Sequence, residues 1–82
     1  MQQMTDTQVE KMEQLVKECE FNIRKQTRSV EHAEAMLKWH AHRNHAEQVS
    51  HWEAELKLEQ RFLAEVKAVT EKVKARLERR SW

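Results

Sequence analysis

Residues 40–50, HAHRNHAEQVS, separate two heptad repeats that do not share a frame. On the N-terminal side, apolar residues recur every three or four positions from Val9, which occupies heptad position a. On the C-terminal side they recur from Val49, whereas the first frame would place its next a positions at 44 and 51. Because the frames do not join, we expect the chain to turn within this stretch. Asn44 is the residue expected to leave the helix, since Asn tolerates the left-handed backbone conformation.

The 82 residues include no glycine and no proline, the two residues that most disfavour helix interiors. Average usage would supply roughly ten of them in a chain of this length. With the heptad repeats, this composition predicts an all-α antiparallel two-helix hairpin that is coiled-coil-like. The expected layout is a single helical domain over residues 1–82, with a helix at about 6–42, a turn at about 43–47 and a helix at about 48–80. Capping-box patterns predict that the first helix starts at Thr5 or Thr7.

The two heptad frames can be paired along one seam. If paired residue numbers sum to 89, position a of one arm faces position d of the other, as in Leu37 opposite Trp52. A shift of this sum by seven preserves the matching, so the sequence leaves the register open. The polar seam residues Gln26, Glu59 and Thr70 are interpreted as register-setting positions.

One flank of the predicted seam is apolar, while the other is charged. The apolar flank consists of six residues at heptad positions c and g: Leu15, Met36, Trp39, Leu58, Phe62 and Val69. Covering a large apolar side chain completely contributes about 1.5–3 kcal/mol, so we expect these residues to form an interface. A homodimer with the layout of a four-helix bundle is the favoured arrangement. There are two alternatives. A different protein could cover the flank, or a break at residues 27–29 could produce a third internal helix that covers it.

Four histidines lie near the predicted turn, at positions 40, 42, 45 and 51. His42 and His45 are three residues apart and are weak candidates for metal ligands. A structural zinc site has four ligands, and this spacing matches no established zinc pattern. We therefore expect no metal and no cofactor.

The C-terminal arm carries a cluster of basic residues, namely Lys72, Lys74, Arg76, Arg79 and Arg80. Such a cluster gives an alternative function, nucleic-acid binding by the helical bundle. The net charge of the chain is only +1, and no known nucleic-acid-binding motif is present, so this alternative ranks below protein binding.

Neither a catalytic nor a membrane-spanning pattern appears in the sequence. The serines lack the glycine elbow of a hydrolase, and no apolar run approaches the roughly 18 residues of a membrane span. The lone Cys19 cannot form a disulfide within the chain, which favours a reducing, cytoplasmic location. We expect a non-enzymatic protein that acts by protein–protein binding, for example a phage or mobile-element inhibitor or regulator of a host protein. The layout is similar to that of small helical hairpins that pair into antiparallel four-helix bundles.

Overall fold

The computed structural model describes residues 3–79, which form two long helices. Helix α1 spans Asp6–His42, and helix α2 spans Ala46–Arg79. The helices contain 37 and 34 residues and pack against each other. The all-α antiparallel hairpin predicted from the heptad frames is thus confirmed.

Helix α1 begins with a capping box. The Thr5 hydroxyl Oγ1 accepts a hydrogen bond from the Gln8 backbone N–H at 3.2 Å, and Gln8 Oε1 accepts one from the Thr5 N–H at 2.8 Å. Two backbone donors that a helix start leaves unpaired are satisfied in this way. Asp6 adds a negative charge in the first turn, where the helix dipole favours it. Of the two predicted starts, Thr5 is the one that the chain uses.

The end of α1 is a Schellman motif built around Asn44. Asn44 has a φ of 57°, so it adopts the left-handed conformation predicted for it. Its N–H donates to the Ala41 carbonyl at 3.3 Å, and the His45 N–H donates to the His40 carbonyl at 3.2 Å. These two bonds satisfy carbonyls that the helix end would otherwise leave unpaired. A single non-glycine residue therefore reverses the chain.

Helix α2 starts immediately after this motif. The carbonyl of His45 accepts the backbone N–H of Val49 at 2.9 Å, which places His45 at the N-cap of α2. The turn occupies residues 43–45 only, and α2 begins two residues earlier than the expected position 48. The difference arises because His45 serves both the end of α1 and the start of α2.

The seam between the helices contains the residues at positions a and d of both frames. Every such residue from Val9 to Leu77 is buried or half-buried. The fully buried ones are Met12, Cys19, Val30, Ala33 and Thr70. Only four of these are hydrophobic, so the core of one hairpin is small.

The register follows from the turn. Because α1 ends at residue 42 and α2 begins at residue 46, the midpoint of the hairpin is residue 44. Residues whose numbers sum to about 88 therefore lie at the same level, within one residue of the predicted sum of 89. A shift by seven would need a midpoint near residue 41 or 48, which the observed turn excludes.

A polar interaction crosses the seam halfway along it. Gln26 Nε2 donates to the backbone carbonyl of Glu59 at 3.0 Å and also contacts the Glu59 carboxylate. Gln26 and Glu59 occupy adjacent layers of the seam, and both are half-buried. Thr70, only 1% exposed, satisfies its hydroxyl within α2 by donating to the Val66 carbonyl at 2.8 Å.

The hairpin is elongated, with principal extents of 58, 18 and 13 Å. Its radius of gyration is 18.1 Å, whereas a compact domain of this length would have one of about 12 Å. Within residues 3–79, neither helix has an apolar stretch long enough to cross a bilayer. The shape leaves one complete side of each helix open to contact.

Candidate interaction surface

The apolar flank lies at the surface of the hairpin. Among the described residues, six large hydrophobic side chains are exposed, and five of them belong to this flank. Their exposed fractions are 39% for Leu15, 46% for Trp39, 40% for Leu58, 44% for Phe62 and 53% for Val69. Met36, the sixth flank residue, is half-buried. The sixth exposed hydrophobic side chain, Phe21, occupies the outer heptad position f of α1.

The flank extends along most of the hairpin and draws on both helices. Leu15 and Trp39 mark its ends on α1, 24 residues and therefore about 36 Å apart. With residue numbers summing to 88, Val69 lies level with residue 19, Phe62 with residue 26 and Leu58 with residue 30. The residues of α2 thus fill the interval between the two ends. The exposed apolar side chains therefore follow one side of the hairpin over most of its length.

Two grooves show how the helices meet along this side. One, of about 300 Å³, is lined by Cys19, Asn22, Glu65, Val66 and Val69, which places Asn22 of α1 beside Val69 of α2. The second, of about 320 Å³, lies nearer the turn and has polar residues in its lining: Arg28, Ser29, His32, Ala33, Trp52, Glu55 and Glu59. This polar section separates Leu58 from Met36 on the flank. The stripe is therefore apolar at both ends and at its centre.

The opposite side of the seam carries a larger groove. This groove, of about 600 Å³, is lined by Glu31, Glu34, Ala35, Leu37, Lys38, Ala41 and Leu56. Three of these seven side chains are charged and four are apolar, so its lining is mixed, as is that of the groove near the turn on the flank side.

Trp39 is fixed at the turn end of the flank by its neighbours. The Arg43 guanidinium carbon lies 3.9 Å from the centroid of a Trp39 ring, and Arg43 Nη1 donates to the Trp39 carbonyl at 3.2 Å. The His40 ring meets Trp39 edge-on, with centroids 4.8 Å apart. A cation over an indole face is attracted by about 0.5–1 kcal/mol at an exposed site. The i, i+4 spacing of Trp39 and Arg43 is the sequence signal that could have revealed this contact.

The turn also brings two histidine rings together, and they are not the pair selected from the spacing. Nδ1 of His40 lies 3.0 Å from Nδ1 of His45, whereas the sequence had singled out His42 with His45. His40 is the partner because the Schellman motif brings His45, the residue after Asn44, back to His40 in the last turn of α1. Within residues 3–79, no group of three or more His, Cys, Asp or Glu side chains is placed to hold a metal ion.

The hydrogen bond between the two rings has an electrostatic consequence. One Nδ1 must donate and the other must accept, so at least one of the two rings is neutral. Burial lowers the pKa of His40, and the nearby His45 and Arg43 lower this pKa further. Protonation of both rings would break this hydrogen bond, because each Nδ1 would then carry a proton.

The basic arm of α2 carries charges of both signs on different faces. Lys72, Arg76 and Arg79 are exposed and Lys74 is half-buried, while Arg80 lies outside the described residues. Lys72, Arg76 and Arg79 occupy heptad positions c and g, whereas the exposed Glu71 and Glu78 occupy position b.

Comparison with family models, curated proteins and solved structures finds no match to this chain. The assignment of function therefore depends on the geometry of the hairpin alone.

Proposed function

We propose that this protein is a non-enzymatic binding module whose apolar flank is covered by another protein chain. The observation that carries the proposal is the concentration of exposed large hydrophobic side chains on one side of the hairpin. Exposed apolar patches commonly mark interaction sites. Apart from Phe21, the exposed large hydrophobic residues of the described chain follow this pattern.

The energetics support coverage of the flank. Complete burial of a large apolar side chain is worth about 1.5–3 kcal/mol, and these side chains are already about half-buried. Covering them would therefore add roughly 1 kcal/mol each, or roughly 5 kcal/mol for the five exposed flank residues. That sum is comparable to the whole stability of many small domains. Because the core of one hairpin has only four buried hydrophobic residues, burial of the flank would add substantially to its stability.

A binding role also agrees with the arrangement of the polar groups. The Gln26–Glu59 contact lies in the seam, and the His40–His45 contact lies in the turn, so both hold the fold together. The net charge of only +1 favours the flank over nucleic acid as the contact surface. Inhibition of a host protein and a cytoplasmic location stay predictions from the sequence.

Site-specific photocrosslinking tests the proposal with a matched control. A benzophenone amino acid replaces Phe62 on the flank or Phe21 on the outer face of α1, in the full chain produced in its native cells. We expect the probe at position 62 to give a discrete protein adduct, and the additional substitution Val69→Glu to abolish it. The probe at position 21 should give no adduct. Equal labelling from both positions, or none from position 62, would contradict protein binding by the flank.

A further inference from the structure

We propose that a second copy of this chain covers the apolar flank, with the two hairpins antiparallel about a two-fold axis near Phe62. This inference rests on the proposed function and names the partner of the same surface. Three features of the hairpin lead to it: its excess surface, the distribution of the flank residues, and the charges beside them.

The hairpin exposes more surface than a folded monomer of its size. Its accessible surface is 6496 Å², whereas a monomer of 9.9 kDa is expected to expose about 5,200 Å². The excess is about 1,300 Å², and a standard interface removes roughly 800 Å² from each partner. One face-to-face contact with a similar hairpin would bring the surface per chain into the usual range. A second copy is present wherever the chain is made, so it can provide this cover permanently.

The flank residues are distributed symmetrically along the hairpin. The midpoint between Leu15 and Trp39 is residue 27, and Phe62 lies level with residue 26. A two-fold axis through Phe62, perpendicular to the helices, would therefore bring Leu15 of each copy to within two residues, or about 3 Å, of the level of Trp39 of the other. Phe62 would meet its own equivalent at the centre. Symmetric dimers need such a self-matching patch, whereas an unrelated partner places no such condition on the flank.

The remaining flank residues fit the same axis. Val69, level with residue 19, would come to the level of residue 33 in the second copy, three residues or about 4.5 Å from Met36. Leu58, level with residue 30, would fall between the levels of Val69 and Phe62 of the second copy. Side chains that fall between those of the facing helix allow interdigitated packing.

Charges beside the stripe favour the antiparallel orientation. In a parallel dimer, Lys72 and Arg76 would each lie level with their own equivalents, which places like charges together. In the antiparallel dimer, Lys72 and Arg76 would instead lie level with residues 52 and 48 of the second copy, far from their own equivalents. Separating like charges across an interface favours this orientation.

Cysteine crosslinking distinguishes the orientations. Cys19→Ala removes the native thiol, and Leu15→Cys and Trp39→Cys are then made as two separate proteins, one carrying a mass tag. The two are refolded together and treated with a short bismaleimide. We expect a tagged–untagged dimer in the mixture and little product from either protein alone. Phe21→Cys, on the outer face, serves as the control and should stay uncrosslinked in every combination.

The possible results separate this inference from the proposed function. Strong product from Leu15→Cys alone and from Trp39→Cys alone would overturn the antiparallel orientation. Sedimentation of the unsubstituted chain should give about twice 9.9 kDa, and Phe62→Glu with Val69→Glu should shift it to a monomer or a partly unfolded chain. A helical native monomer would overturn the second copy as the partner. In that case, an adduct between position 62 and a different protein would still support the proposed function. No adduct at all would contradict both the proposed function and the dimer.

Discussion

Substitution of Asn44 should reverse the usual ranking of alanine and glycine. In helices and ordinary turns alanine is the more stable of the two, because glycine loses more backbone entropy on folding. Asn44 has a φ of 57°, and in this region a Cβ atom clashes with the following carbonyl. We therefore expect Asn44→Gly to be more stable than Asn44→Ala, with the native Asn between them.

The size of this difference follows from the backbone. A left-handed residue other than glycine costs roughly 1–2 kcal/mol, and the greater entropy of glycine in the unfolded chain offsets about 0.4–1 kcal/mol of that. Asn44→Ala should thus be about 1 kcal/mol less stable than Asn44→Gly. For a domain of this size, 1 kcal/mol corresponds to a change in Tm of about 4–8 °C.

Arg43 provides the matched control, one residue away in the same turn. Its φ is −102°, which alanine adopts without strain. Both Arg43→Ala and Arg43→Gly lose the contact with the Trp39 ring, so comparing the two isolates the backbone effect. Here we expect alanine to exceed glycine by about 0.5–1 kcal/mol.

Urea denaturation followed by circular dichroism, at one protein concentration for all four variants, measures these differences. A constant concentration is needed because the proposed association with a second chain would contribute to the apparent stability. If alanine equals or exceeds glycine at position 44, the left-handed residue is not what reverses the chain. The hairpin would then have to turn by another conformation.

Three further predictions concern the polar groups. Because the pKa of His40 is lowered in the folded chain, the unfolded chain binds a proton at this residue more readily. The contribution of His40 to the free energy of unfolding should therefore be fully present above pH about 6.5 and be lost as the pH falls below this value. Urea midpoints at pH 8 and 5.5 should show this loss, and a loss of equal size in His40→Gln would contradict the prediction. In a double-mutant cycle with Gln26→Leu and Glu59→Leu, we expect a coupling free energy of about 1–2 kcal/mol, since Gln26→Leu alone leaves a half-buried carboxylate without its partner. If the two substitutions have additive effects in thermal denaturation, the contact between these side chains does not stabilise the fold. Calorimetric titration with zinc should show weak binding or none, and submicromolar affinity that depends on His45 would overturn this expectation.

Much of the fold could be predicted from the sequence because a single physical signal, the burial of apolar residues at helical spacing, acts over both arms. From Val9 to Leu77 this signal identified the seam residue by residue. Asn44 was predictable because Asn tolerates the left-handed conformation better than other non-glycine residues. The alternative of a break at residues 27–29 is wrong, since α1 continues through them.

The details of the turn were not predictable to the same degree. His45 occupies the N-cap of α2 although Ser, Thr, Asp and Asn are preferred there, so the start of α2 was placed too late. The contact of His40 with His45 arises from the three-dimensional path of the Schellman motif, which the spacing of the histidines does not contain. The apolar flank was predictable as a pattern because its residues recur at heptad positions c and g of both helices.

The mismatch between the two heptad frames also bears on domain swapping. If the turn straightened into one continuous helix, the hydrophobic stripe would jump by two residues, which rotates it by about 200° around the helix axis. The two halves of such a rod would present their stripes on nearly opposite faces. Two rods side by side could then bury only half of their apolar residues, leaving the others to recruit further rods in an open-ended assembly. Helical hairpins with continuous frames can exchange arms and close as dimers of long helices, whereas in this chain the offset makes the exchanged form unfavourable.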